Sequence, residues 1–172
     1  MKNQKSKSAF TMIELVFVIV IIGILAAVAI PRLAATRDDA DITKARVLIG
    51  SIKSAVGMER QKRILRGNFD PIFKLTKSTT SGARIFDYFD GVEDENNFIL
   101  DNPPYSCKVA TDKDCWRETK TGTLTLSKNN IKTDDSLYTY NLPTGGSEVF
   151  VLYKNTFRCV DENSANCKLL TQ

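Results

Sequence analysis

Apolar and polar positions change their pattern twice along this chain. Residues 10–30 read FTMIELVFVIVIIGILAAVAI, with Glu14 the single ionisable side chain among them. At about 1.5 Å per residue, a helix of that length reaches roughly 31 Å, the thickness of a bilayer core. After Pro31 the period becomes one-sided. Ile42, Ala45, Ile49, Ile52 and Val56 fall at alternating spacings of three and four, which predicts an amphipathic helix. Glu59 and Arg63 stand in the favoured i, i+4 order. Arg60, Lys62, Arg63 and Arg66 crowd the end where the helix dipole favours cations, and Gly67 suits the residue just past it. No capping signal is read between Phe10 and Arg66. The pattern therefore predicts one helix over residues 10–66, roughly 85 Å long. Pro31 lacks an amide hydrogen and is a helix-kink candidate where the two halves meet.

Beyond Gly67 the period shortens. Residues 77–82 are a Ser/Thr loop, and residues 93–97 are an acidic, exposed stretch. Residues 83–89 read as one or two helical turns with Ile85, Phe86 and Phe89 inward. Strand-like runs follow at 122–127, 137–142 and 148–157. Pro143-Thr144-Gly145-Gly146 is a turn that pairs the last two as a hairpin. The expected fold class is α+β. A long N-terminal helix, half of it transmembrane, packs its striped half on a small antiparallel sheet of three or four strands. A sheet with one apolar face needs a cover, and the stripe is the sizeable apolar surface at hand. This divides the chain into a leader at 1–9, a membrane half-helix at 10–31, an amphipathic half at 32–66 and a head at 67–172.

Charge and cysteine change the picture further. The net charge is +4, but Lys2, Lys5 and Lys7 supply most of it, and the rest is near neutral. No nucleic-acid surface is expected. The three lysines hold the N-terminal flank on the cytoplasmic side, leaving the head outside the inner membrane. Histidine is absent, which excludes Ser-His-Asp and Cys-His nucleophile systems and His-ligated metals. Cys107, Cys115, Cys159 and Cys167 suit an oxidising compartment. Of their three possible connectivities, 107–115 and 159–167 are preferred because each brackets a polar loop. Each bond then contributes about 2.6 kcal/mol by loop entropy. A Cys₄ zinc site is the rival, although zinc ligands usually stand two to four residues apart. No cofactor and no metal is expected, with one alternative. Loop carboxylates at Asp161, Glu162 and Asn163, or Asp134 and Asp135, offer oxygen ligands for calcium, against a plain polar turn. Asp112 and Asp114 complete the loop acids, which give little support to an exported enzyme.

Two ordinary readings of the apolar run compete with a functional one. A signal peptide would cleave at Ala27-Val28-Ala29, but the run exceeds the usual h-region of about 7–15 residues. A plain anchor leaves Glu14 unexplained, since a carboxylate in a span costs about 2.5–3.5 kcal/mol. The stretch Ala9-Phe10-Thr11-Met12-Ile13-Glu14, with its basic leader and long apolar run, resembles the prepilin processing motif of type IV pilins and type II secretion pseudopilins. Ala9 stands where the family has glycine. Pro31 matches the proline those helices carry.

The resemblance implies a structural subunit and not an enzyme. A prepilin peptidase cuts between Ala9 and Phe10 and methylates the new Phe10 amine. Glu14 then pairs with the Phe10 amine of an adjacent subunit, so Phe10 and Glu14 are the assembly residues. Gly23 and Ala27, at small-xxx-small spacing, permit close helix approach. The implied partners are the peptidase, other pilin or pseudopilin subunits, an inner-membrane assembly platform, and membrane lipid before assembly. The implied place is the inner membrane with a periplasmic head, then a periplasmic or surface filament. Type IV pilus, type II secretion and competence filaments stay open at this point. So does a membrane-anchored binding module or adhesin that does not polymerise.

Overall fold

A computed structural model describes residues 10–90, 98–119 and 136–172, with Ala35 described by its backbone alone. The expectations for the leader (Lys2, Lys5, Lys7 and Ala9), the acidic stretch at 93–97, the strand at 122–127 and Asp134 and Asp135 lie outside those residues. The architecture is a long N-terminal helix followed by a four-stranded antiparallel sheet, a pilin-like α+β arrangement. The chain forms two compact units, Met1–Asp39 and Ala40–Gln172. The first helix, α1 (Met12–Leu65), contributes to both.

The first unit is described by its helix. The start lies at Met12 and not at Phe10, because Thr11 caps it. Nearly every side chain from Met12 to Leu33 is exposed, including all its large aliphatic ones. By length and composition this helix can cross a membrane. Backbone polar groups in lipid must be satisfied within the segment, and a helix does this without help. Pro31 lies inside the helix, which continues through it. Its missing N–H leaves the Ala27 carbonyl without its usual amide partner.

The second unit holds the core. Ile42, Ala45, Ile49, Ile52 and Val56 are all buried, as the stripe predicted, and Ala55 joins them. They share one cluster with the inner face of the sheet. That sheet runs in the order β1 (Cys115–Thr119), β2 (Leu137–Asn141), β3 (Ser147–Tyr153) and β4 (Thr156–Cys159). Trp116 faces Tyr140, Tyr138 faces Phe150, and Leu152 faces Phe157 in the register, so one face is aromatic. Phe86 sits among these rings, 5.1 Å from Trp116, 5.0 Å from Tyr138 and 5.8 Å from Phe157 between centroids.

Three expectations are corrected. Residues 83–89 are not helical: Ile85, Phe86 and Phe89 are buried, but from an irregular segment in which Arg84 bridges Tyr105 and Phe86 has φ 60°. That backbone is incompatible with a right-handed helix. The single strand expected at 148–157 is two strands. Lys154 and Asn155 have φ 49° and 60°, the pair of left-handed residues that a two-residue hairpin turn needs. The Asn155 side chain accepts from the Ile72 amide at 2.8 Å and fixes the turn. The sheet also gains β1, and a short helix α2 (Ala165–Thr171) follows it, neither of which the pattern had singled out. Ser164 caps α2, accepting from the Cys167 amide at 2.9 Å. Arg46 Nε donates to the Leu169 carbonyl at 2.6 Å and ties α2 to α1.

The end of α1 is closed by geometry its residues demand. Asn68 N donates to Arg63 O and Gly67 N to Ile64 O, with Gly67 at φ 78°, the hydrogen-bond pair of a Schellman ending. Inside this turn Arg63 Nε meets Glu59 Oε1 at 3.2 Å, both residues buried. The Arg63 guanidinium also donates to the Asp90 carbonyl. Asp90 Oδ1 accepts from the Phe73 and Lys74 amides at 3.0 and 3.1 Å. A pair read as a helix-surface contact is thus a buried tie between α1 and the following loop.

Disulfides join Cys107 to Cys115 and Cys159 to Cys167. The second links β4 to α2 and the first closes the loop before β1. Burial pushes the Tyr138 hydroxyl well above its ordinary 10.0, helped by the nearby Glu118 charge. Burial does the same to Tyr140, whose hydroxyl donates to Asp114 Oδ1 at 2.7 Å. A folded-state value above the unfolded one means that the folded chain holds protons the unfolded chain releases. The stability from these groups is present below about pH 10 and declines as pH rises beyond it. In detergent, tyrosine absorbance near the ultraviolet edge should report their ionisation together with loss of near-ultraviolet dichroism. Ionisation of all five tyrosines near pH 10 with the fold intact contradicts this burial.

Candidate assembly site at the helix start

The chemistry-bearing residues of the first unit converge on the first turn of α1. Thr11 Oγ1 accepts from the Glu14 amide at 3.3 Å, and Glu14 Oε2 accepts from the Thr11 amide at 3.4 Å. The Thr11 hydroxyl also reaches Oε2 at 3.4 Å. This reciprocal pattern is a capping box, which satisfies two amides left open at a helix start. The sequence carried the signal as Thr11-Met12-Ile13-Glu14, a Thr-x-x-Glu before an apolar run. Thr11 is the residue that the reading of the motif passed over.

Glu14 therefore has a local task as well as an exposed carboxylate. It lies beside an apolar surface made by Ile13, Val16, Phe17 and Val20. Phe10, before the cap, is 79% exposed. The Glu14 side chain lies in the first turn of the helix, close to the positive end of its dipole. Its capping bonds, at 3.3–3.4 Å, are at the long end of the hydrogen-bond range. An amine on a neighbouring molecule would form a shorter, charge-assisted bond and would outcompete them.

The remaining candidates lie apart from this site in sequence and role. Pro31 is within the helix. Gly23 has no heavy atom near the position a Cβ would take, so that helix face is open to a close neighbour. The loop carboxylates have local partners. Asp161 Oδ1 accepts from the Asn163 amide at 3.0 Å, and Glu162 pairs with Arg158 at 3.3 Å. Asp112 Oδ2 accepts from the Lys108 and Val109 amides. Among the described residues no three Asp, Glu, His or Cys side chains converge as metal ligands would.

Comparison with known proteins matches the same segment. Residues 4–30 fit the family model of the prokaryotic N-terminal methylation motif. The type II secretion system core protein G of Pseudomonas aeruginosa is 40% identical over 56 residues, which is 33% of this chain and 39% of that protein. The protein of the same name from Vibrio cholerae is 36% identical over 58 residues, 34% of this chain and 40% of that one. The chain thus spans about two-fifths of the length of the curated relatives it matches. No solved structure matches it. The match to the N-terminal methylation motif thus falls on the segment where the structure puts an exposed Phe10 and a Glu14 that takes part in the helix cap.

Proposed function

We propose that this chain is a pseudopilin of the type II secretion kind, a structural filament subunit whose first unit is both its membrane anchor and its assembly handle. The observation that carries the reading is the motif at 4–30 with Glu14 four positions after Phe10. A prepilin peptidase hydrolyses the bond between Ala9 and Phe10, and the freed Phe10 amine then takes a methyl group from a sulfonium methyl donor, which leaves as the thioether while the amine loses a proton. The mature chain rests in the inner membrane with Ala40–Gln172 on the periplasmic side. An assembly platform then moves it into the filament.

The physics of Glu14 supports this order of events. In a monomer the carboxylate lies in an apolar stretch and is held only by the capping bonds. When a neighbour docks, its Phe10 amine supplies the counter-charge. A buried charge is tolerated when paired, and a single axial stagger brings the two groups together. The bare aliphatic surface from Met12 to Leu33 exchanges lipid for other helices. Similarity to core protein G favours the secretion filament over a surface pilus.

Intact-mass spectrometry of the chain, purified from cells with and without the peptidase, tests the first step. The expected product begins at Phe10 and carries one added methyl. A membrane-bound product still bearing residues 1–9 in the presence of the enzyme overturns the reading.

A further inference from the structure

Strand β1 is at the edge of the sheet, and a cavity of about 90 Å³ opens beside it. A single ordered water needs only about 10–15 Å³, so the space is that of a small molecule. Five hydroxyls surround it, those of Thr76, Ser78, Thr79, Ser81 and Ser106. Arg117 and Glu118 of β1 complete the polar wall. Arg117 Nε and both Glu118 carboxylate oxygens are buried. Among the described residues Arg117 Nε has no hydrogen-bond partner. A buried N–H without an acceptor is costly, and its presence beside a polar cavity asks for a guest.

The wall is built before any guest arrives. The Cys107–Cys115 bond closes the loop on one side, and Cys107 N donates to Trp116 O at 2.8 Å. Ser106 N donates to Ala83 O at 2.7 Å, and Ile85 N to Pro104 O at 2.9 Å. Ser106 Oγ donates to the Thr80 carbonyl at 3.3 Å, and Ser78 Oγ to Thr80 Oγ1 at 3.1 Å. Each of these two hydroxyls keeps a lone pair with which to accept from a guest.

We propose that this cavity binds one ring of a neutral sugar, which enters by its edge from the exposed Thr79 and Ser81 side. The charges of the wall select the class. An anion meets the Glu118 carboxylate and a cation meets the Arg117 guanidinium, so either brings a like charge against a desolvated group. A neutral polyol avoids both penalties and uses both groups. Its hydroxyl oxygens accept from Arg117 Nε, and its hydroxyl hydrogens donate to Glu118. Five hydroxyls to one pair of charges favour a ligand of many hydroxyls over a zwitterion. Ile85 and Cys107 are the apolar part of the wall, and they suit the C–H face of a pyranose ring. The site lies within the second unit and does not depend on the filament reading.

The test titrates glucose, galactose and mannose, each free and as the methyl glycoside, into the full-length chain in micelles of a zwitterionic detergent without a sugar head group. Saturation-transfer magnetic resonance detects binding, and calorimetry measures it. At least one sugar should bind with a Kd of about 1 mM, the scale for a ligand of about a dozen heavy atoms. Arg117→Gln should weaken it about tenfold and Ser81→Ala about threefold. Ser81 lies in an exposed turn, so its variant reads the site even where Arg117→Gln fails to fold. A methyl glycoside that binds as tightly as the free sugar identifies the end of a glycan as the source, and loss on methylation identifies a soluble sugar; both uphold the proposal. No sugar binding below about 50 mM, affinities untouched by both variants, or inorganic phosphate or glycine binding more tightly than every sugar overturns it.

Discussion

Replacing Glu14 with alanine is expected to reduce incorporation into filaments by about a hundredfold while leaving the chain in the membrane. Removing one partner of a buried pair costs about 3–5 kcal/mol, because the other charge is left unpaired in an apolar medium. On the assembly proposed above, the stranded group is the amine of the neighbouring Phe10. The capping box complicates a simple reading of that variant, since alanine also deletes the acceptor for the Thr11 amide. Loss of a cap costs about 1 kcal/mol. Glu14→Gln separates the two tasks. Glutamine serves in a capping box but carries no charge. Fibre yield measured by shearing and immunoblot should therefore fall nearly as far for Gln as for Ala. Fibres at wild-type yield from the Gln variant would mean that the carboxylate is a helix cap and nothing more.

Phe86→Ala is expected to destabilise the second unit by about 3–5 kcal/mol, the usual cost of deleting a fully buried phenylalanine. Phe86 is fully buried and touches the rings of Trp116, Tyr138 and Phe157. Its φ of 60° adds a second effect. A side chain in the left-handed region pays roughly 1–2 kcal/mol that glycine does not. Phe86→Gly should therefore be less damaging than Phe86→Ala, by about 1 kcal/mol, although it removes more atoms. Denaturant unfolding followed by the fluorescence of Trp116, the single tryptophan, measures both. The ring centroids lie 5.1 Å apart, so the probe senses the site directly. A loss below about 1 kcal/mol for the alanine variant, or a glycine variant worse than alanine, contradicts the packing described.

At Phe86 the sequence reading had the burial right and the backbone wrong. Ile85, Phe86 and Phe89 have the spacing of a helix face, and their burial is as that spacing suggests. The backbone is not helical, because the cluster of rings on the sheet dictates where Phe86 must point. The turn at Lys154 and Asn155 was hidden for a different reason. It lacks the glycine that usually marks such a hairpin, and strand-forming residues flank it on both sides. By contrast Pro143-Thr144-Gly145-Gly146 announced its turn, and Gly145 and Gly146 do have positive φ. Helix α2 is seven residues long, too short to hold in isolation. Its cap, the Cys159–Cys167 bond and Arg46 hold it. The candidate assembly site was more legible. Glu14 announced itself as a carboxylate within an apolar run, whereas Thr11 was overlooked because its signal overlaps the larger motif.

What the amino-acid order determined alone is the span, the stripe and the motif at the helix start. These depend on neighbours within a few turns: a helix hydrogen-bonds its backbone within the segment, and a period of 3.6 places the stripe without reference to anything distant. Only the tertiary structure decided the left-handed backbone at Phe86, the burial of Glu59 with Arg63 and the edges of the strands. Each of these is set by groups far off in the chain, whose packing overrides local preference and whose identity no local pattern encodes.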